Sequence, residues 1–155
     1  MSTTVETSVT RTRIRSASAA DAAGVFALVE QLADSYVVER SAFESAFAEA
    51  IDERSHTVLL VAEAGDSRIV GYALMTVARL LYTKDDAAQI QELIVDSAAR
   101  GSGVGSRLVY AVEDICRARG LSQLSVASSR APGFYDRLDY RSTADFLKKV
   151  FDSEH

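Results

Sequence analysis

The sequence predicts an α/β (α+β) domain, with a mixed sheet that is mostly antiparallel and helices on both faces. Three observations carry that expectation. Thr57 to Glu63 and Arg68 to Ala78 are apolar, β-branched runs separated by Ala64-Gly65-Asp66-Ser67, which is turn chemistry, so the pair reads as an antiparallel hairpin. Ile90 to Val95, an apolar helical stripe (Val104, Leu108, Val109, Val112, Ile115, Cys116) and Leu121 to Ala127 then follow as strand, helix and strand. That order and spacing is a parallel βαβ unit.

Composition bounds the rest. At 155 residues the chain reads as one domain, expected over 10–155 behind a disordered tail at 1–9. Apolar residues make up 48% and charged residues 25%, as in ordinary globular proteins. A net charge of −5 argues against non-specific nucleic-acid binding, which depends on neutralising phosphates. With one cysteine and two histidines there is no disulfide framework and no cluster of metal ligands, so no metal is expected. No stretch approaches the roughly 18 consecutive apolar residues of a membrane span. Met1 to Thr10 lacks a signal peptide's apolar segment, and a cytoplasmic location is the simplest expectation.

Taken in order, Thr10 to Arg15 alternates weakly, as an edge strand would. Ser18 with Asp21 reads as a capping box opening a helix whose stripe is Val25, Phe26, Leu28, Val29 and Leu32. After a break at Asp34-Ser35, a second helix is expected from about Arg40 to Glu53, with Phe43, Phe47 and Ile51 at four-residue spacing. Leu80 to Ala87 is a mixed connection. Gly120 stops the helix of the βαβ unit as a C-cap. A short helix is expected near Pro132 to Leu138, and Ser142 to Phe151 should close the sheet with one or two strands.

The three glycines at alternate positions, Gly101, Gly103 and Gly105, lie between strand and helix. Glycine lets several backbone N–H groups point into one space, and the helix start adds its unsatisfied N–H groups and dipole. Such a turn suits a pyrophosphate over Arg100 to Ser106. A Walker loop would need lysine after Gly105, where Ser106 and Arg107 stand. In a dinucleotide fingerprint the third glycine would fall on Ser106 or Leu108, so that pattern fails too.

What remains is Arg100-x-x-Gly103-x-Gly105 after Glu92-Leu93-Ile94-Val95, followed downstream by Ser128-Ser129-Arg130-Ala131-Pro132-Gly133-Phe134-Tyr135-Asp136-Arg137-Leu138-Asp139-Tyr140. The first resembles the Q/R-x-x-G-x-G/A signature of the GNAT superfamily of acetyl-CoA-dependent N-acetyltransferases. The second is similar to that family's N-x-x-A-x-x-F-Y-x-x-L-G-F/Y segment. The resemblance implies a six- to seven-stranded sheet around a central β-α-β acetyl-CoA site, and covers nearly the whole chain. Two positions depart from the pattern. Ser128 replaces the usual Asn, and Asp139 replaces a Gly at a helix end that requires positive φ.

The resemblance implies direct attack of an amine on the thioester, with catalysis largely a matter of positioning. Leu93, Ile94 and Val95 would hold pantetheine and thioester. Arg100, Gly101, Ser102, Gly103, Val104, Gly105 and Ser106 would hold the pyrophosphate, with Ser128 also on the cofactor. Tyr135 falls on the position of the general acid that protonates the leaving thiolate; a packed aromatic on a short helix is the plainer alternative. Glu92 is the candidate general base. It is a carboxylate in an apolar strand, where strict alternation puts it on the face of Ile90 and Ile94 unless a bulge intervenes, as the family's strand carries. A solvated or salt-bridged glutamate is equally open. Cys116, on the apolar stripe, reads as core, and His56 as a surface loop residue.

For the acceptor, Tyr36, Glu39, Phe43, Tyr82, Asp85 and Asp86 offer an aromatic and acidic mixture suited to a cationic amine on a small molecule or peptide. Ordinary surface charge explains them as well. The rival to an enzyme is a non-catalytic acyl-CoA-binding regulatory module on the same scaffold. A homodimer is common in the resembled family.

Overall fold

A computed structural model describes residues 12–33, 37–128 and 133–151. The expected tail, Thr10 at the head of the first strand, the break at Asp34-Ser35, Tyr36, Ser129 to Pro132 and His155 lie outside those residues. Five strands form one sheet in the order β1-β2-β3-β4-β5: β1 Arg13–Ser16, β2 Thr57–Glu63, β3 Ile69–Ala78, β4 Ala87–Val95 and β5 Gln123–Val126. The first four pair antiparallel, and β5 joins β4 in parallel. The described residues also form four helices, α1 Ala22–Leu32, α2 Arg40–Ala50, α3 Val104–Arg119 and α4 Phe134–Arg137, with 3₁₀ turns at Ala19–Asp21 and Ser97–Ala99.

Alternation along the strands sorts the core into two layers. Leu60, Ala62, Ala73, Met75, Ala88 and Ile90 meet Val104, Leu108, Val109, Val112 and Cys116 of α3 on one face. Leu59, Val61 and Tyr72 meet Val25 and Leu28 of α1 and Phe47 of α2 on the other. Helices therefore cover both faces, as side chains alternating through the pleat require. At the entrance to α1, the Ser18 N–H donates to Asp21 Oδ2 at 2.8 Å, the backward half of the expected capping box. Gly120 ends α3 at φ 68°, in the left-handed region that lacks a penalty only for glycine. No helix among the described residues is long and apolar enough to cross a membrane.

Two expectations need correction. The sheet has five strands among the described residues, not six or seven. Residues 142–151 form no strand; every one of them is exposed. Strand structure requires a partner to complete its hydrogen bonds, and local composition does not provide one.

Candidate active site

Strand β4 is where the site begins. Leu74 pairs with Glu92 and Met75 with Ile90, so Gln91 is an extra residue, a bulge. The bulge reverses the phase of the strand. Ile90 packs with the α3 layer, whereas Ile94, two residues beyond Glu92, packs with the α1/α2 layer beside Tyr72. Glu92 is therefore not on the face of Ile90. Its Oε1 accepts a hydrogen bond of 2.7 Å from the hydroxyl of Tyr72, which is 1% exposed.

Strand β5 pairs with β4 only from Ala87 to Ile90. Past the bulge the two parallel strands separate, and β4 continues to Val95 against β3 alone. Among the described residues, the β5-facing backbone groups of Gln91 to Val95 thereby have no strand partner, and a cleft of about 770 Å³ opens there. Its walls include Glu92, Leu93, Ile94, Val95, Arg100, Gly101, Gly103, Val104, Gly105, Ser106, Ser128 and Tyr135.

The start of α3 forms one end of the cleft. Gly101 and Gly103 have φ of 83° and 90°, and nothing lies within 4 Å of a Cβ built on either, so it is backbone conformation that selects glycine there. Gly105 comes close to Phe134, whose Cζ would be 3.4 Å from an added Cβ. No side chain caps α3 and no acid occupies its first turn, so its leading N–H groups face the cleft end unneutralised. Ser102 sits apart from the rest. Its hydroxyl donates to the Ala99 carbonyl, which fixes the turn, and it is absent from the cleft wall. Arg100 Nε donates to the Val95 carbonyl at 3.2 Å, tying the loop to the end of β4.

Tyr135 stands on α4, half-buried, with edge-on contacts to Phe134 at 4.8 Å and Tyr140 at 5.6 Å between ring centroids. Burial pushes its phenol above the ordinary value. Its hydroxyl has no hydrogen-bond partner among the described residues. Tyr140 differs. Burial and a 2.7 Å bond to Glu113 Oε2 push its phenol up, and it serves as an anchor against α3. Asp139 adopts φ 69°, the left-handed turn where the resemblance anticipated strain.

The cleft wall also contains residues the sequence did not single out. Gln31 and Leu32 come from the end of α1, and Arg137 from α4. Gln31 also bridges to the loop after β4, donating to Asp96 Oδ1 and accepting from the Ser97 N–H, each at 3.2 Å. As a single polar residue at the end of an apolar stripe it carried no pattern. Of the acceptor candidates, Glu39, Phe43, Tyr82, Asp85 and Asp86 do not line the cleft. Phe43 instead packs against Phe26 at 5.1 Å, inside the α1/α2 layer. Cys116 is buried with its thiol pushed up by desolvation, a core residue, and His56 is exposed.

The model of the acetyltransferase (GNAT) family matches residues 26–140. The chain belongs to the GNAT acetyltransferase family. Glucosamine 6-phosphate N-acetyltransferase 1 of Oryza sativa subsp. japonica is 29% identical over 132 residues, 83% of this chain and 80% of that protein. Among solved structures, a transcriptional regulator from Bacillus halodurans C-125 superposes with a TM-score of 0.79 at 27% identity, covering 90% of this chain and 99% of the other. Glucosamine-6-phosphate N-acetyltransferase from Arabidopsis thaliana gives 0.78 at 24% identity, covering 91% and 99%, and speaks for the fold.

GNAT enzymes take acetyl-CoA as co-substrate, and this chain's residues fit it. An unpaired stretch of β4 can hydrogen-bond an extended amide chain, and an uncapped helix start behind it can receive a pyrophosphate. Among the described residues, no group of three or more His, Cys, Asp or Glu is placed to hold a metal ion.

Proposed function

We propose that this GNAT protein is an N-acetyltransferase that moves an acetyl group from acetyl-CoA to a primary amine, on a small molecule or a peptide, by direct attack in a ternary complex. The observation that carries the reading is that one cleft joins the splayed β4 edge, the uncapped start of α3, Tyr135 and Glu92. In it, Leu93 to Val95 present backbone groups to the pantetheine amides and the thioester carbonyl. The N–H groups from Gly101 to Ser106 receive the pyrophosphate, and Ser128 lies across the cleft on the β5 side. Because Ser102 turns its hydroxyl toward Ala99, only its backbone is available to the ligand.

Chemically, the amine nitrogen forms a bond to the acetyl carbon as the carbon–sulfur bond breaks. Tyr135 gives its proton to the departing thiolate, and the proton shed by the nitrogen passes to Glu92, directly or through a water. Burial keeps the phenol protonated at neutral pH, so a proton is in place beside the sulfur as its charge develops and the carbon–sulfur bond breaks. The Tyr72 hydroxyl holds the Glu92 carboxylate at one side of the cleft. Gln31, Leu32 and Arg137 supply wall on which acceptor selection can act. The rice relative's name specifies an amino sugar phosphate. At 29% identity that supports an amine acceptor without selecting one.

The second reading is the non-catalytic acyl-CoA-binding module, which shares every cofactor contact. Free-thiol release from acetyl-CoA across a panel of amines, run beside calorimetric titration with acetyl-CoA, separates the two. Amine-dependent thiol release with an N-acetylated product supports the enzyme. Tight binding without turnover on any amine would establish the module instead, and no binding of any CoA ester would remove both.

A further inference from the structure

We propose that Tyr72 and Thr76 of β3 are positioning residues that together fix Glu92, Tyr72 by holding its carboxylate and Thr76 by pinning the bulge on which it stands. The inference rests on Glu92 as the base and deepens that reading. Gln91 is the extra residue of β4, between the pairs Met75 with Ile90 and Leu74 with Glu92. Its Nε2 donates to Thr76 Oγ1 at 3.0 Å, while the Tyr72 hydroxyl donates to Glu92 Oε1 at 2.7 Å. Tyr72 and Thr76 flank Leu74 at two residues on either side, so by alternation the three share one face of β3. It is the face on which Tyr72 and Leu74 pack with the α1/α2 layer. Consecutive side chains of a regular strand point to opposite faces. Gln91 and Glu92 are consecutive, yet both reach this one face, and each finds a polar partner there.

The place of the bulge is not set by the backbone. Strand β4, Ala-Ala-Gln-Ile-Gln-Glu-Leu-Ile-Val, contains no glycine or proline of the kind that marks bulges. Neighbouring positions are therefore open to it, and a slip of one residue carries a side chain to the other face. A bulge one step earlier would put Gln91 opposite Met75, on the α3 face and away from Thr76. A bulge beyond Glu92 would put Glu92 opposite Ala73, again on the α3 face and away from Tyr72. The Thr76 bond thus opposes the first slip and the Tyr72 bond the second.

Tyr72 is a rigid anchor, since its ring is 1% exposed and packed among Val25, Leu28 and Phe47. A carboxylate held by it has a fixed place relative to the core. Oε1 of Glu92 carries that bond, and Oε2 accepts none among the described residues, which leaves Oε2 to take the proton of the amine.

Kinetics and amide hydrogen exchange on the full chain test both anchors, with acetyl-CoA as donor and glucosamine 6-phosphate, butylamine and a peptide with a free N-terminus as acceptors. Tyr72→Phe keeps the buried ring without its hydroxyl, and Thr76→Val keeps the β-branch. Each should lower kcat about tenfold, as a misplaced group does, while the calorimetric Kd for acetyl-CoA stays within about twofold. Exchange at Gln91 to Leu93 should quicken in both. Thr76→Ser, which retains the hydroxyl, should restore kcat. In a Glu92→Gln background neither substitution should lower kcat further, because a positioning residue acts through the group it holds. An active wild type whose kcat survives Tyr72→Phe and Thr76→Val overturns the proposal and leaves Glu92 as base. So do losses that add in full to that of Glu92→Gln, or exchange at Gln91 to Leu93 that is alike in all chains. A Glu92→Gln variant with unaltered kcat, or a wild type that turns over no acceptor, removes the base and its anchors together.

Discussion

Burial pushes the Tyr135 phenol above its ordinary value, so the hydroxyl holds its proton through the neutral range and is available for the donor role proposed for it. Tyr135→Phe removes the proton and leaves the ring packed against Phe134 and Tyr140. kcat should fall by about a hundredfold or more, the usual weight of a positioned acid, while the KM for acetyl-CoA stays within about twofold. Steady-state kinetics decide it: an unaltered kcat takes Tyr135 out of the chemistry. Glu92 has a different signature. Glu92→Gln retains an acceptor oxygen for Tyr72 but cannot take a proton, so the acidic limb of the kcat/KM profile should flatten. A variant with the wild-type limb would make Glu92 a spectator held by Tyr72.

At the scale of elements, the junction of β4 and α3 has the most specific requirements. Gly103 begins α3 at φ 90°, with open space where a side chain would sit. Gly103→Ala therefore introduces conformational strain rather than a clash, about 1–2 kcal/mol. The helix start can relieve it by turning its N–H groups away from the cleft. We expect the calorimetric Kd for acetyl-CoA to rise several-fold, about fivefold or more at that energy, with a smaller effect on kcat. A lower melting temperature with an unchanged Kd would make the loop structural only. The glycine loop was legible in the sequence because positive φ and an open helix start impose composition directly. So were the hairpin and the βαβ unit, whose alternation and spacing are local. The face of Glu92 was not, since a single extra residue at Gln91 reverses every later side chain and leaves no mark in composition. Phe43 misled for a related reason: the apolar stripe of a helix looks the same whether it lines a pocket or packs on Phe26. The closing strands failed on pairing, which residues 142–151 do not find among the described residues.

For the whole molecule, an ion cluster joins the layers. Arg15 of β1 donates to both carboxylate oxygens of Asp21 at 2.8 and 2.9 Å and to Glu63 of β2 at 2.8 Å, at the entrance to α1. The Arg15 hydrogen bonds hold the Asp21 carboxyl below its ordinary value, and those from Arg15 and Arg13 do the same for Glu63. A depressed carboxylate contributes stability above its unfolded value of about 3.9 and loses it as pH falls through the folded value. Asp21→Asn should thus cost about 2 kcal/mol near neutrality, and the gap from wild type should narrow below about pH 4. Denaturant titrations across pH measure this, and a gap that does not vary with pH would show that the charge contributes nothing. The proposed reaction is direct transfer between two ligands held at once, and the lone cysteine is buried in the core. Initial velocities over a grid of acetyl-CoA and amine concentrations test this most directly. Double-reciprocal lines should intersect, as a ternary complex requires; parallel lines, the mark of an acetylated enzyme, would contradict it.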